Sequence, residues 1–128
     1  ARIALKLQRL EDELGGQAVP LMDDIERMAR VAGEVLRGAM DALARLDLPQ
    51  ARWVLEHDQA VDREYKALLA RLTKLMMQTP EQVPMAVQVI FVLKGLERIG
   101  DHAKNIAEYV FYVVEGRDVR HPKAQANT

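Results

Sequence analysis

Residues 79–84, Thr-Pro-Glu-Gln-Val-Pro, separate two long stretches in which apolar residues recur every three or four positions. Proline disfavours a helical conformation in the residue before it, so the first stretch is predicted to end as a helix at Thr79. Pro84 is tolerated only in the first turn of a helix, so the next helix is predicted to become regular near Gln82. A connection this short makes the two helices antiparallel neighbours.

The same apolar spacing marks three long segments. Asp47, three residues before Gln50, resembles a capping box, and Pro49 suits a first turn, so the middle helix is predicted to begin there. The segment before it carries the seam Met22, Ile25, Ala29, Ala32, Leu36, Ala39, Leu43 and Leu46. The segment after the turn carries Val89, Leu93, Leu96, Gly100, Ala103, Ala107, Val110 and Val114, and stops at Gly116. The sequence therefore predicts an all-α fold, an antiparallel up-down-up three-helix bundle over residues 17–116.

Two flanking stretches are predicted to lie outside the bundle. Residues 1–16 hold a single apolar stripe that stops at Gly15 and Gly16, which predicts a short N-terminal helical segment. Because the chain enters this pattern at once, without a Met, we expect the segment to be a short helix or the end of one, in a chain cut from something longer. Residues 117–128 are polar and without periodicity, so they are predicted to form a mobile tail.

The composition argues against several classes of protein. Lys and Arg number 18 and Asp and Glu number 19, so the basic excess of a nucleic-acid-binding domain is absent. Cysteine and serine do not occur, which removes disulfides, thiolate metal sites and the commonest nucleophiles. No signal-peptide pattern is visible in these residues and no apolar run reaches about 20 residues, so we expect a cytoplasmic protein that neither enters a membrane nor binds nucleic acid.

Acidic residues occur on the helix face that the apolar spacing predicts to be buried. The seam of the middle segment consists of Leu55, Asp58, Asp62, Tyr65, Leu69, Leu72 and Met76. Beyond the turn, Glu97 and Asp101 form a second acidic pair, and Asn105 continues its stripe. Asp62 and Glu97 are equidistant from the turn, and so are Asp58 and Asp101. In an antiparallel hairpin, residues related in this way lie at the same level, so we expect the four carboxylates to meet.

Four carboxylates at one level repel one another strongly unless they are neutralised. A hard cation neutralises them by exchanging its water for carboxylate oxygens, which favours Mg, Ca, Mn or carboxylate-bound Fe. Zn stays an option, because His57 or His102 would help to hold it. The sequence therefore predicts a divalent or trivalent metal ion, its element unknown, with the candidate ligands Asp58, Asp62, Glu97 and Asp101.

The acidic stripe has two other interpretations. Arg98 is placed to pair with Asp62, and His102 with Asp58, which would make the stripe an interhelical lattice of salt bridges. A ferritin-like di-iron enzyme needs Glu-x-x-His on two helices. Neither His57 nor His102 has a Glu three residues before it, so that enzyme motif is missing.

The helix after the turn resembles a known family. Residues 96–101, Leu-Glu-Arg-Ile-Gly-Asp, are followed by Asn105-Ile106, Glu108, Phe111-Tyr112 and Gly116-x-Asp118-x-Arg120-His121. This pattern is similar to that of the PhoU family, the accessory proteins of phosphate-specific transport. The upstream stretch Asp58-x-x-x-Asp62-x-Glu64-Tyr65 also resembles a motif of that family. The similarity extends from near Pro20 to His121.

This resemblance implies a position for the chain within a longer architecture and a set of ligands. Family members resemble two tandem three-helix bundles, and this chain looks like the C-terminal one, so the resemblance implies that residues 1–16 are the end of a helix from a preceding bundle and a linker. Each bundle of the family carries an acidic motif that can hold metal ions or metal clusters. Carried over by position, the resemblance implies Asp58, Asp62, Glu97 and Asp101 as ligands, with Asn105 as a weaker one where a fully acidic motif has Asp.

The resemblance also implies a regulatory and non-enzymatic function. When phosphate is plentiful, the family restrains phosphate uptake and keeps the phosphate-starvation response off. The implied partners are the ATPase subunit of the phosphate ABC transporter and a phosphate-responsive sensor histidine kinase, and we expect a homodimer. The alternative hypothesis is a carboxylate-bridged metal-dependent enzyme or metal-storage bundle, which would show turnover or many ions per chain.

Overall fold

A computed structural model describes residues 18–116, which form three long α-helices that pack against one another. Helix α1 spans Ala18–Arg45, α2 spans Leu48–Gln78 and α3 spans Val83–Glu115, and the 3-10 turn Pro80–Gln82 joins α2 to α3. Strands do not occur in this range. The all-α antiparallel three-helix bundle is therefore confirmed. The predicted N-terminal segment and the predicted tail lie outside the described residues.

Most helix boundaries follow from local stop and start signals in the sequence. Asp47 has an extended conformation, and its Oδ1 accepts the backbone N–H of Gln50 at 3.1 Å, which caps α2 as predicted. Thr79 ends α2, and Pro84 lies in the first turn of α3. Gly116 closes α3 in the left-handed conformation, with φ 69°, which only glycine adopts without strain.

The end of α1 is closed by a residue that the sequence does not mark as a helix stop. Leu46 has φ 51°, in the left-handed region that leucine adopts only at a cost. The N–H of Leu46 bonds to the carbonyl of Leu43 at 3.4 Å, and the N–H of Asp47 bonds to the carbonyl of Ala42 at 3.0 Å. This is the Schellman pattern, in which glycine normally occupies the left-handed position.

The buried face of α1 differs from the predicted seam. Ile25, Ala32 and Ala39 are buried as predicted, but the other members are partly or fully exposed, and Leu46 lies beyond the end of the helix. Their places in the core are taken by Leu21, Met28, Val35 and Ala42. Ile25, Ala32 and Ala39, which belong to both the predicted and the observed face, have apolar neighbours on either side around the helix. The positions of α2 and α3 therefore decide which of these two sides is buried, and the spacing within α1 does not.

The seams of the other two helices are confirmed in part. In α3 the predicted positions are buried from Val89 to Val110 except for half-buried Leu96, whereas Val114 is exposed. In α2 the prediction was correct for Asp58 and Leu72, and its other members are only half-buried. The buried positions of α2 are Ala51, Val54, Asp58, Val61, Leu68 and Leu72. The core thus meets α2 along a line that passes through an acidic residue.

Candidate functional site

The buried face of α2 contains one acidic residue. Asp58 lies one helical turn from Val54 and from Val61 on that face, and only 9% of its surface is exposed. Across residues 18–116, no hydrogen bond or ion pair to its carboxylate is formed. Burying a carboxylate without a bonded partner is costly, because the charged form loses its hydration. A carboxylate whose charged form is destabilised in this way, without a partner that offsets the loss, is a candidate functional group.

Helix α3 passes very close to this carboxylate. A Cβ atom built on Gly100 would lie 2.7 Å from Oδ1 of Asp58 and 3.4 Å from Cγ1 of Val61. Asp101, the next residue, acts on Asp58 electrostatically more strongly than any other charged group. The two helices therefore have the register that equal distance from the turn predicts, which places Asp58 beside the Gly100-Asp101 step.

An open cleft of about 380 Å³ lies between α2 and α3 at this level. We call it the acidic cleft, and its lining residues are Asp58, Gln59, Asp62, Arg63, Asp101 and Lys104. Of the five predicted site residues, the structure brings three, Asp58, Asp62 and Asp101, to this cleft. Glu97 lies outside the lining, although its charge reaches Asp58. Asn105 is exposed and does not line the cleft.

The two outer carboxylates have lysine partners on their own helices. Oδ2 of Asp62 lies 3.0 Å from Nζ of Lys66, and Oε2 of Glu97 lies 3.0 Å from Nζ of Lys94. The Glu97 side chain is only 14% exposed, so its charge is partly desolvated. The interhelical salt bridges of the alternative interpretation, from Arg98 and His102 to the acids of α2, are not among the ion pairs of the described residues.

The acidic neighbours alter the protonation of the cleft. Burial raises the pKa of Asp58 from its ordinary value of 3.8 to about 6, and the charges of Asp101, Asp62 and Glu97 add to the rise while Lys104 opposes it. Partial desolvation and the adjacent Glu97 also raise the pKa of Asp101. Both shifts have the same sign because each carboxylate is destabilised in its charged form. A cation in the cleft would remove this destabilisation.

The donor atoms fit a hard cation, but the described conformation does not assemble a binding site for one. Asp58, Asp62, Asp101 and Gln59 offer oxygen ligands, the set that Mg, Ca and Mn prefer. Within residues 18–116, however, no group of three or more His, Asp or Glu side chains is close enough together to hold a metal ion. Asp62 would have to leave Lys66 to contribute. Metal ligation by the five predicted residues therefore stays a prediction.

The lining residues that the sequence interpretation omitted are Gln59 and two basic residues. Arg63 and Lys104 line the acidic cleft together with the carboxylates. Lys104 lies three residues after Asp101 and so shares its helix face. Following the acidic stripe one helical turn further would have identified Lys104 from the sequence. The cleft is thus lined by side chains of both charge signs.

His57 is engaged in packing rather than in the cleft. Its ring stacks on Trp53 with 4.1 Å between centroids, and its Nδ1 lies 2.8 Å from the backbone oxygen of the same residue. His102 is exposed. Neither histidine lines the acidic cleft, so the structure offers the cleft only oxygen donors from its acidic residues and Gln59.

None of the helices within residues 18–116 combines the length and the apolarity needed to cross a bilayer.

Comparison with known proteins gives one family and a consistent set of relatives. The PhoU domain matches residues 25–110. The phosphate-specific transport system accessory protein PhoU homolog of Pseudomonas putida is 36% identical over 133 aligned residues, which cover 94% of this chain and 52% of that protein. The PhoU proteins of Escherichia coli K12 and Caulobacter vibrioides NA1000 are 34% and 33% identical, covering 86% and 92% of this chain and 46% and 56% of their own lengths.

The chain thus spans about half the length of the curated relatives that it matches. No solved structure matches it significantly. The PhoU domain match contains the whole acidic cleft and extends from the core of α1 almost to the end of α3. From this match and from the three-helix fold, we conclude that the chain belongs to the PhoU domain family.

Proposed function

We propose that this chain is a non-enzymatic regulator of phosphate uptake, acting as an accessory component of a phosphate transport system. The names of its matched relatives support this, since they designate an accessory protein of that system. The domain match over most of the described bundle supports the same assignment. In this proposal the bundle acts by binding partners and changing their activity.

The proposed regulation restrains uptake and keeps the phosphate-starvation response off when phosphate is plentiful. We assign two partners, the ATPase subunit of the phosphate ABC transporter and a phosphate-responsive sensor histidine kinase, and a homodimer as the acting form. Arg63 and Lys104 line the cleft beside the acidic side chains. This arrangement suits such contacts, because a surface with both charge signs can select a partner by charge complementarity.

The acidic cleft is proposed to hold a divalent or trivalent cation. The observation that carries this is Asp58, a buried carboxylate without a bonded partner, next to the carboxylates of Asp62 and Asp101. The residues that would hold the cation are Asp58, Asp62 and Asp101 of the cleft, with Glu97 and Asn105 from its neighbourhood, and Asp62 and Glu97 would then have to leave their lysine partners. A cation held there would supply the positive charge that phosphate or a partner carboxylate needs, since the carboxylates alone would repel either group.

Metal retention tests the cation. Chelator-treated protein is loaded with Mn²⁺, dialysed and analysed for metal content. The wild type is expected to retain Mn²⁺ and the double variant Asp62→Ala/Asp101→Ala to lose it, with unchanged helicity by circular dichroism. The matched control is Asp23→Ala/Asp41→Ala, which removes the same charge from exposed positions of α1. Equal retention in both double variants contradicts the cation proposal.

Binding assays test the regulatory assignment against the enzymatic alternative. Purified ATPase subunit is expected to bind the wild-type chain, and more weakly the Asp62→Ala/Asp101→Ala variant. Phosphatase and oxygen-uptake assays of Mn²⁺- and Fe²⁺-loaded protein are expected to show no turnover. Turnover that depends on the cleft, or many bound ions per chain, would instead support the metal-dependent enzyme or storage bundle and overturn the proposal.

A further inference from the structure

Two glycines lie in the interior of α3, and the structure treats them differently. Glycine weakens a helix interior relative to alanine because it loses more backbone freedom on folding. At Gly95, an added Cβ would meet nothing within 4 Å. At Gly100, the same atom would lie 2.7 Å from Oδ1 of Asp58, a distance that real Cβ contacts do not show. A steric contact therefore explains why position 100 is a glycine, and no such contact exists at Gly95.

The group that an added Cβ would displace is the carboxylate of Asp58. Val61, the other neighbour, is 3.4 Å away, which is tight but tolerated after a small shift. Val61 is buried and has a stiff β-branched side chain. Asp58 lines the acidic cleft, so its carboxylate has room to move toward that open side. Contact with a Cβ at position 100 would push it outward, away from the helix interface.

We infer that Gly100 is a positioning residue for Asp58. The Asp58 carboxylate occupies the space that a side chain at position 100 would fill, so the glycine lets this carboxylate lie against α3 in the cleft that Asp62 and Asp101 also line. This positioning adds a residue to the proposed cation site. Only the purpose of the Asp58 carboxylate, which is to bind the cation, rests on that proposal. The steric relation between Gly100 and Asp58 stands on the geometry alone.

A double-mutant cycle tests this relation without any metal. Thermal unfolding is measured in chelator for Gly100→Ala, for Asp58→Ala and for the double variant, with Gly95→Ala as the matched control. In the wild-type background, Gly100→Ala is expected to give a lower melting temperature than Gly95→Ala, because displacement of the Asp58 carboxylate offsets the gain in helix propensity. In the Asp58→Ala background it is expected to leave the melting temperature unchanged or to raise it, as Gly95→Ala does, because alanine is the better helix former.

Every outcome of the cycle decides the inference. If Gly100→Ala fails to fold, recovery of the fold in the double variant supports it, because removing the Asp58 carboxylate then relieves the clash. If Gly100→Ala changes the melting temperature equally in both backgrounds, or both variants fail to fold, the effect does not pass through the Asp58 carboxylate and the inference is wrong.

Mn²⁺ binding by equilibrium dialysis, below the melting temperature of each variant, tests the purpose of the positioning. Gly100→Ala is expected to weaken Mn²⁺ binding at least about tenfold, as loss of an orienting neighbour does at metal sites, and Gly95→Ala is expected to bind like the wild type. Equal binding by Gly100→Ala and Gly95→Ala overturns the link between the glycine and the ion. If the wild type itself binds no Mn²⁺, the proposed cation site fails, and the cycle still decides the steric inference.

Discussion

The Asp58 carboxyl makes the stability of the bundle depend on pH. Its pKa is raised to about 6 in the folded chain, above its ordinary value of 3.8, mainly because it is buried. Between these two values the folded state holds a proton that the unfolded state has released. The free energy of unfolding must therefore fall as the pH rises through this window. The raised pKa of Asp101 acts in the same direction.

Asp58→Asn isolates the contribution of Asp58. The amide has the shape of the protonated acid and cannot ionise, so it avoids the loss that the carboxyl causes. We expect the variant to match the wild type near pH 4 and to exceed its free energy of unfolding by about 1–3 kcal/mol near pH 7. Urea unfolding in chelator from pH 4 to 7.5 measures this. A difference between the two proteins that does not change with pH would contradict it.

At the scale of the helix, the connection between α1 and α2 stores a small strain. Leu46 occupies a left-handed position that disfavours every side chain with a Cβ. Leu46→Gly is expected to raise the free energy of unfolding by about 0.5–1 kcal/mol, because glycine adopts this conformation freely and the lost side chain is half exposed. Leu46→Ala serves as the control, since it removes the same contacts and keeps the strain. Equal effects of the two substitutions in urea unfolding would show that the backbone conformation is not the cause.

The same connection shows which helix boundaries the sequence could predict. Three boundaries are marked by residues with a known capping or stopping role. They are the start of α2 at Asp47, its end at Thr79 before a proline, and the end of α3 at Gly116. The left-handed Leu46 has no such chemistry, so the sequence instead suggested an apolar seam that continued through it. Tertiary packing overrides a local preference worth about 1 kcal/mol.

Across the three helices, the sequence predicted relations that depend on distance along the chain and missed those that depend on packing. Equal distance from the turn correctly placed Asp58 beside Asp101, because two antiparallel helices with a short connection have one register. The same reasoning could not show that Asp62 and Glu97 have lysine partners on their own helices, since side-chain conformations are chosen locally. Distance along the chain also could not show which side of α1 is buried, because the burial of α1 depends on where the other two helices lie.

The division between core and surface in α3 gives a prediction for the whole bundle. Leu93 is 0% exposed, whereas Phe91, two residues earlier and larger, is 73% exposed. Residue type alone would make the phenylalanine the greater contributor to stability. Leu93→Ala is expected to lower the free energy of unfolding by about 2–5 kcal/mol, because it opens a cavity in the core.

Phe91→Ala, by contrast, is expected to change the free energy of unfolding by less than about 0.5 kcal/mol, since the ring has little packing to lose. Urea unfolding of both variants measures the two effects, and the slope with denaturant should stay the same if the fold is retained. A large loss of stability from Phe91→Ala would mean that its ring is covered in solution, by a second copy or by residues beyond 18–116. A sedimentation measurement of the same samples separates these cases, because only the first depends on protein concentration.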